Sequence, residues 1–539
     1  MDAASGTDRP HHGHSSELRE GRVERLAGFA DRHAFLLYGG VVGSFLLLFL
    51  AAVFLLTVEA DESWILLSTA HAFGVPVPLT DAFGRPTITT GGLHLLLHGL
   101  LARVTTSIVI HRLISTVTAA LLFLLVYRIC RSLRHPRSRA MAGAALFATV
   151  PGFVLQAGLA MGEVIAVVFL IGAGLHWIRR GALSLRAAAV TGLLLGLAFA
   201  TRVNCAAAAG GLIAYAIVAP HPNWQRLSRA LLAVLVAMVV LAVSVAFYYY
   251  VGSTPAAGEQ AAHVATATGI GSGRKSVFQI VQALLMMNEF LPILLLVLIA
   301  AAWIVRRVGL PGAEEEDDTG DLAGIMLLMG LAILAAWILF APIPHLRYLW
   351  PALVCIWMAG IVLFLDVWLQ AKRAVTRLTL HGVVGVACGY ALLAGVFMVG
   401  HGESLTLVYR AMGLSARPAL PRGDWFRAAR DQRALASFIA SQPMSAHFYT
   451  LYAPGAYPVV YLSGRSIPNS GRMSDAENRF LILLPADHAV WQPSGAYSAW
   501  KKAYTRPVFR SGDFAILRVD DRAPVPPQEM LSVGMSDIY

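Results

Sequence analysis

The sequence has little charge. Asp, Glu, Lys and Arg together make up 14% of its 539 residues, whereas about 25% is usual in soluble proteins. Hydrophobic residues make up 57%, and the mean hydropathy is +0.64. A soluble chain of this length is excluded, because it would need far more charge at its surface. We predict an α-helical polytopic membrane protein.

The sequence also has few cysteines, and none stands where a disulfide would be expected. All lie inside or at the edge of apolar runs, and no Cys-x-x-Cys pair occurs; they are Cys130, Cys205, Cys355 and Cys388. Disulfides form outside the cytoplasm, and no cysteine falls in the segments that we place there. The pattern indicates a fold that needs no disulfide.

Acidic residues are fewer than basic ones, which leaves a net charge of +11. Such an excess can indicate nucleic-acid binding, but here the Arg and Lys residues cluster in short loops between apolar runs. That distribution follows the positive-inside rule and argues against a nucleic-acid partner. Four arginines ahead of the first apolar run predict a cytoplasmic N-terminus: Arg19, Arg22, Arg25 and Arg32.

Alternation from that N-terminus predicts about eleven transmembrane helices. Their approximate ranges are 34–58, 106–128, 139–157, 161–178, 185–200, 204–219, 228–251, 283–305, 322–341, 348–368 and 380–399. Residues 1–33 are expected to form a disordered cytoplasmic tail, and residues 34–400 the transmembrane domain. Its first outer loop is predicted at 59–105.

The last part of the chain changes character. Residues 420–539 contain no apolar run long enough to cross a membrane. Strand-like segments occur at 446–452, 457–462, 479–484 and 512–519, and residues 424–440 have helical periodicity. We predict that residues 401–539 form a small α/β domain outside the cytoplasm.

An acidic cluster stands directly at the end of the first apolar run: Glu59, Asp61 and Glu62. Carboxylates this close to hydrocarbon are costly unless they are paired or functional. The predicted topology places further polar groups on the same face of the membrane, namely Glu163, Arg202, Arg274, Lys275, His345 and Arg347. Cations beside a carboxylate suit a lipid phosphate and a step in which a proton is removed.

Simpler roles stay open for each of these residues. Asp61 can be the N-cap of an interfacial helix, and Glu163 can complement the helix dipole in the first turn of the fourth span. Arginines at span ends can be snorkelling anchors, which applies to Arg202 and Arg347, while Arg274 and Lys275 can be solvated. His94 and His98 have the i, i+4 spacing of a helical metal pair, but without a third ligand of the right type nearby we favour packing or interfacial polarity.

Several motifs resemble the GT-C glycosyltransferases. Asp61-Glu62-Ser63-Trp64, ahead of a short amphipathic helix at 65–73, is similar to the acidic motif in the first outer loop of that superfamily. Arg112-Leu113-Ile114-Ser115, residues 192–202 and Arg347-Tyr348-Leu349-Trp350-Pro351-Ala352-Leu353 resemble further patterns. The resemblance covers roughly residues 34–370. Within the superfamily it favours the branch of protein O-mannosyltransferases, aminoarabinose transferases and Rgt-type lipopolysaccharide glycosyltransferases.

The resemblance implies a multi-pass enzyme of the bacterial inner membrane with a periplasmic C-terminal domain. Such an enzyme takes a sugar from a polyprenyl phosphate and adds it to a glycan, lipopolysaccharide or protein outside the cytoplasm. Asp61 matches the catalytic position of the acidic loop, and Glu163 matches the second acidic position. Arg347 matches the Arg of the Arg-Tyr-x-x-Pro motif, and Arg202 the basic residue after span five. Where many relatives have Lys/His-Pro-Pro, this chain has Arg85-Pro86-Thr87, so Arg85 is the candidate cation there.

The chemistry of such a transfer agrees with these residue types. A lipid phosphate is a good leaving group once cations neutralise it, and Arg does so through bidentate contacts. The acceptor hydroxyl is a poor nucleophile, so we expect Asp61 to act as the base of a single displacement that inverts the anomeric centre. Glu163, Asp61 and Glu62 are candidate oxygen ligands for a divalent ion such as Mg²⁺, Mn²⁺ or Zn²⁺. His345 and Tyr348 are expected to line the same pocket.

Two other functions remain open from the sequence. A transporter or lipid-linked-sugar flippase would favour charges near the middle of the bilayer and paired halves with broken helices, whereas these charges gather at one face. A polysaccharide polymerase or ligase would use the same class of lipid-linked donor.

Overall fold

The structure is a computed structural model, which describes residues 13–58, 60–78, 91–150, 152–218, 224–252, 318–340, 346–401, 426–450, 453–468, 473, 477–484, 495–512 and 514–526. For some residues in these ranges, among them Asp61, Arg347 and Tyr348, only the backbone is described. The eighth predicted span, 283–305, lies outside the described residues.

Helices make up most of the described residues between 13 and 401. They are α1 (Gly13–Leu55), α2 (Ala60–Ala72), α3 (Gly92–Ala102), α4 (Ile108–Ser132), α5 (Arg137–Phe147), α6 (Phe153–Gly158), α7 (Glu163–His176), α8 (Leu185–Thr201), α9 (Ala208–Val218), α10 (Trp224–Gly252), α11 (Asp318–Phe340), α12 (Leu346–Gln370) and α13 (Ala374–His401). A π-turn at Trp177–Gly181 follows α7, and a 3₁₀ turn at Val203–Ala207 leads into α9.

Six of these helices are long and apolar enough to cross a membrane, counted over the described parts of the chain. They are α1, α4, α10, α11, α12 and α13. The prediction of a polytopic helical membrane protein is therefore confirmed, while the number of eleven spans stays a prediction. The apolar helices α3, α8 and α9 are shorter than a full span, which needs about 20 residues.

Two predicted boundaries are wrong. Residues 13–33 were expected to be disordered, but they are the first part of α1; extending an existing helix avoids the cost of nucleation. The predicted span 139–157 is broken into α5 and α6. Pro151 follows Val150 in the sequence, and Gly152 has a φ of +67°, so the helix ends there.

Helix α12 is the most buried of the membrane-spanning helices that the structure describes. Buried residues make up 78% of its apolar window, against 22% to 50% in the other five described spans. Its Trp350 and Trp368 are almost fully buried, and the indole N–H of Trp357 donates to the Leu146 carbonyl at 3.2 Å and to Thr149 Oγ1 at 3.1 Å. These bonds tie α12 to the end of α5.

Helices α8 and α10 pack at close range. A Cβ atom on Gly192 would lie 2.3 Å from the Ala233 carbonyl oxygen, and one on Gly196 would lie 2.5 Å from Val240. Small residues four apart let two backbones approach in this way within a membrane.

The described residues of the C-terminal domain form a four-stranded sheet and three helices. The strands β1 (His447–Thr450), β2 (Arg479–Leu483), β3 (Thr505–Ser511) and β4 (Phe514–Val519) have the order β1-β2-β4-β3. The β1/β2 pair is parallel, and the other pairs are antiparallel. The helices are α14 (Arg427–Ser441), α15 (Ala453–Ser463) and α16 (Gly495–Tyr504).

The strand predicted at 457–462 is wrong, because these residues belong to α15. A short apolar run does not distinguish a buried strand from a buried helix by its periodicity. The segments predicted at 446–452, 479–484 and 512–519 do contain strands, and β3 and α16 were not predicted.

The C-terminal domain contacts α2 and the segment just ahead of it. Leu67 of α2 packs into the hydrophobic core of the domain, beside Leu435, Phe448 and Ile516. The amide of Gln432 in α14 accepts from the Val58 N–H at 2.9 Å and donates to the Val58 carbonyl at 3.0 Å. The domain therefore fixes the segment that links α1 to the acidic cluster.

Candidate functional site

The site begins in the first turn of α2, where Asp61 and Glu62 lie one and two residues after Ala60. The backbone of Asp61 is helical, and its side chain lies outside the described part of the structure. Glu62 is fully buried. Carboxylates in a first turn are favoured by the helix dipole, so this turn suits an acidic pair.

Glu62 is held by Arg112 of α4. The guanidinium donates from Nε to Oε1 at 2.9 Å and from Nη2 to Oε2 at 2.6 Å. Both side chains are at most 1% exposed. Such bidentate, charge-assisted bonds fix both the position and the orientation of the carboxylate.

The same guanidinium caps the C-terminal end of α1. Nη1 donates to the carbonyls of Val53 at 3.3 Å and Leu56 at 3.2 Å, and Nη2 donates to Thr57 at 2.7 Å. The last carbonyls of a helix have no partner within the helix, and a cation is favourable at this end. Arg112 thus joins the end of α1 to the start of α2.

Glu62 also contacts the loop between α6 and α7. Its Oε1 accepts from the backbone N–H of Ala160 at 2.8 Å. Three residues later, Glu163 is the first residue of α7. The structure therefore brings two predicted site residues, Glu62 and Glu163, to opposite ends of one short backbone segment.

Glu163 forms a buried ion pair with Arg202. The Arg202 Nη2 donates to Oε1 of Glu163, and both side chains are at most 2% exposed. Arg202 directly follows α8 and is its C-terminal capping residue. Each charge also complements the nearest helix dipole, negative at the start of α7 and positive at the end of α8.

Three buried histidines lie beside these pairs. His94 of α3 contacts the Ala160 carbonyl through Nε2 at 3.2 Å. The His94 and His98 ring centroids are 4.2 Å apart, and His98 Nδ1 lies 2.9 Å from Nδ1 of His111 in α4. His94 and His98 therefore pack in the interior, as the sequence favoured.

Tyr461 connects the C-terminal domain to this region. Its hydroxyl donates to the Thr106 carbonyl. Burial raises the pKa of Tyr461, and the negative charge of Glu62 adds to that shift. The hydroxyl therefore stays protonated and keeps its role as a donor.

Some predicted site residues lie outside the part of the chain whose side chains the structure describes. Arg85, Arg274, Lys275 and His345 lie outside the described residues. Arg347 and Tyr348 lie in the first turn of α12, with only their backbone described. The structure thus joins Glu62, Glu163 and Arg202, and places Asp61 next to Glu62.

The partner of Glu62 was not predicted from the sequence, although a signal was present. Arg112 is the fifth residue of the apolar helix α4, and a charge inside a span normally has a partner or a function. The sequence alone does not tell which of several carboxylates is that partner, because Glu62 lies 50 residues away.

Comparisons with known proteins bear on the fold. No protein-family model matches the sequence, and no curated protein matches it. Two solved structures of ArnT from Cupriavidus metallidurans are similar, one bound to undecaprenyl phosphate with a TM-score of 0.54 and one in the apo state with a TM-score of 0.50. Each is 14% identical to this chain, and each match covers 91% of this chain and 98% of ArnT.

An oligosaccharyltransferase from Archaeoglobus fulgidus, tethered with an acceptor peptide, is similar with a TM-score of 0.45 at 12% identity. That match covers 92% of this chain and 75% of the other. The similarity to ArnT over nearly the whole of both chains shows the architecture. This chain is a polytopic membrane protein that has the same fold as ArnT.

Proposed function

We propose that this chain is a glycosyltransferase that moves a sugar from a polyprenyl phosphate to an acceptor outside the cytoplasm. ArnT has the same fold, and its structure with undecaprenyl phosphate supports a donor of this class. The observation that carries the proposal is the acidic first turn of α2 and its bond to the loop before Glu163. In this proposal the acceptor is an envelope glycan, lipopolysaccharide or protein.

The proposed setting is the inner membrane of a bacterium. The N-terminus faces the cytoplasm and the C-terminal domain faces the periplasm, as the distribution of arginines favours. The acidic turn then opens away from the cytoplasm, because α2 directly follows the first span. Acceptors of the cell envelope are found on that side.

The proposed reaction is a single displacement. The acceptor hydroxyl oxygen attacks C1 of the sugar, and the bond between C1 and the phosphate oxygen breaks. Asp61 takes the hydroxyl proton as the general base, and the polyprenyl phosphate leaves with the electron pair. Attack from the face opposite the phosphate inverts the anomeric centre.

Arginines supply the positive charge for the phosphate in this proposal. Arg347 is the first candidate, since it lies in the first turn of α12; Arg85, Arg274 and Lys275 are further candidates, and His345 and Tyr348 line the pocket. Arg202 is already bound to Glu163, so we assign it to holding that carboxylate. Glu62 is bound by Arg112, and we assign it to fixing the turn that carries Asp61.

The residues described here do not fit a divalent metal site. Among the side chains that the structure describes, no group of three or more His, Cys, Asp or Glu residues could hold a metal ion. The oxygens of Glu62 already accept from Arg112 and Ala160, and a guanidinium beside each glutamate opposes a second cation. We therefore derive no step through a metal ion.

The replacement Asp61→Asn tests the proposed base. The amide has the same shape as the carboxylate but does not accept a proton, so we expect the rate of transfer to fall by about 10²–10⁴-fold. The measurement is sugar transfer by the purified protein in lipid nanodiscs, from a polyprenyl-phosphate sugar to an envelope extract, with mass spectrometry of the products.

Asp366→Asn is the matched control, because Asp366 lies near the far end of α12 and bonds Gln370 at 3.3 Å. It should transfer sugar at the rate of the unchanged protein. Full activity in the Asp61→Asn variant would refute the assignment of the base. Counterflow of a lipid-linked sugar without any glycosidic product would refute the transfer itself and indicate a flippase.

A further inference from the structure

Helix α3 is attached at its start to the end of α8. The Gly91 N–H donates to the Thr201 carbonyl at 3.0 Å, and Thr201 directly precedes Arg202. The Gly92 N–H donates to Ser244 Oγ of α10 at 2.9 Å. The first turn of α3 is therefore fixed beside the cation that holds Glu163.

Two residues further on, His94 contacts the loop that precedes Glu163. The side chain is fully buried, and its Nε2 lies 3.2 Å from the Ala160 carbonyl oxygen. The N–H of the same residue, Ala160, donates to Glu62. Both backbone polar groups of Ala160 are therefore bound: its carbonyl by His94 and its N–H by Glu62. These two bonds hold the loop at 159–162.

The ring of His94 also shapes this loop. Gly162 has a φ of +81°, and a Cβ atom on it would lie 2.6 Å from His94 Cδ2. The imidazole therefore packs directly against the residue before Glu163. Movement of the ring would change the position of the first residue of α7.

The bond to a carbonyl defines the chemical state of His94. Because a carbonyl only accepts, Nε2 must carry the proton. Burial, and next the charge of Arg202, lowers the pKa of His94 to about 3, so the ring is neutral at ordinary pH. Nδ1 has no hydrogen-bond partner among the described residues.

We propose that His94 is a positioning residue of the transfer reaction, which sets the loop at 159–162 between Glu62 and Glu163 by donating one hydrogen bond from Nε2. It acts neither as an acid or base nor as a metal ligand. The role in transfer rests on the proposed function, whereas the hold on the loop does not.

Three replacements of His94 separate these roles. The side-chain amide of Gln places a donor near the position of Nε2, the shorter amide of Asn does not reach it, and Phe fills the space without any donor. We expect His94→Gln to keep kcat within about threefold of the unchanged protein. His94→Asn and His94→Phe should lower kcat more than tenfold, with little change in KM for the polyprenyl-phosphate donor.

The pH profile of kcat separates a positioning role of His94 from acid–base chemistry by its imidazole. The His94→Gln variant should show the same dependence of kcat on pH as the unchanged protein. If His94→Gln were as inactive as His94→Phe, or if its profile lost a limb, the imidazole itself would take part in the chemistry and the proposal would be wrong. Full activity in the His94→Phe variant would show that His94 only fills space, and would also overturn the proposal.

Hydrogen–deuterium exchange tests the hold on the loop without any substrate. Backbone amides at 159–165 should exchange faster in His94→Phe than in the unchanged protein and should stay protected in His94→Gln. His381→Gln is the matched control, because His381 is a histidine of α13 that bonds Tyr38 and Asp31. Equal exchange in all variants would overturn the proposal, even if the protein transferred no sugar.

Discussion

At the scale of single residues, Arg112 joins three elements of the site, namely α1, α2 and α4. One guanidinium binds both oxygens of Glu62 and three carbonyls at the end of α1. Arginine alone among the side chains presents five N–H donors in a planar fork. A lysine has three donors on one atom and would not serve Glu62 and α1 together.

The replacement Arg112→Ala should therefore destabilise the protein strongly. It leaves the buried Glu62 carboxylate without its counter-charge, and removing one partner of a buried pair costs about 3–5 kcal/mol. The control is Arg128→Ala on the same helix, where the arginine is exposed and the expected change is within about 0.5 kcal/mol. Thermal unfolding in detergent micelles measures both, and an equal loss in the two variants would contradict the role of Arg112.

At the scale of elements, the loop at 159–162 connects the two glutamates, because Ala160 binds Glu62 and Glu163 directly follows Gly162. It carries no charged side chain, so its contribution lies in its backbone: an N–H for Glu62, a carbonyl for His94 and a left-handed residue at Gly162. Loops of this kind give little signal in a sequence, because their contacts are made by main-chain atoms.

Two glycines with the same backbone conformation test this loop. Gly152 and Gly162 both have positive φ, but an added Cβ meets nothing within 4 Å at Gly152 and meets His94 at Gly162. Gly152→Ala should cost about 1–2 kcal/mol of stability from the left-handed conformation alone, without loss of activity. Gly162→Ala should cost more and should also lower kcat. Equal effects of the two replacements on stability and kcat would show that the contact with His94 is unimportant.

The helices and strands also show which parts of the fold and of the site could be predicted from the sequence. Long apolar runs predicted α4, α10, α11, α12 and α13 within a few residues, because the bilayer imposes their length and polarity. The break after α5 and the helical state of 457–462 were missed, since both depend on local turn chemistry and on packing against distant elements. Asp61, Glu62 and Glu163 could be chosen as acidic residues at span ends, but their partners could not, because those partners depend on how the helices are arranged.

At the scale of the whole molecule, the C-terminal domain and the transmembrane helices meet at the acidic segment. Gln432 bonds Val58, Arg433 donates to the Phe54 carbonyl, and Leu67 lies in the core of the domain. The start of α2 is thus held from one side by Arg112 of α4 and from the other by α14. A domain that binds an acceptor glycan or protein would in this way be linked mechanically to the proposed base, Asp61.

The replacement Gln432→Glu tests this link, because a carboxylate accepts from the Val58 N–H but cannot donate to the Val58 carbonyl. Losing one of two buried hydrogen bonds and facing a carbonyl with a charge should cost about 1–3 kcal/mol. We expect a lower melting temperature together with a lower kcat, since the turn that carries Asp61 becomes less fixed. Gln442→Glu is the control: Gln442 is about 15 Å further along the helix axis, and its side-chain amide bonds only its neighbour Ser441 among the described contacts. If both variants kept the kcat of the unchanged protein while Gln432→Glu alone lost stability, the domain would support the fold without positioning the site.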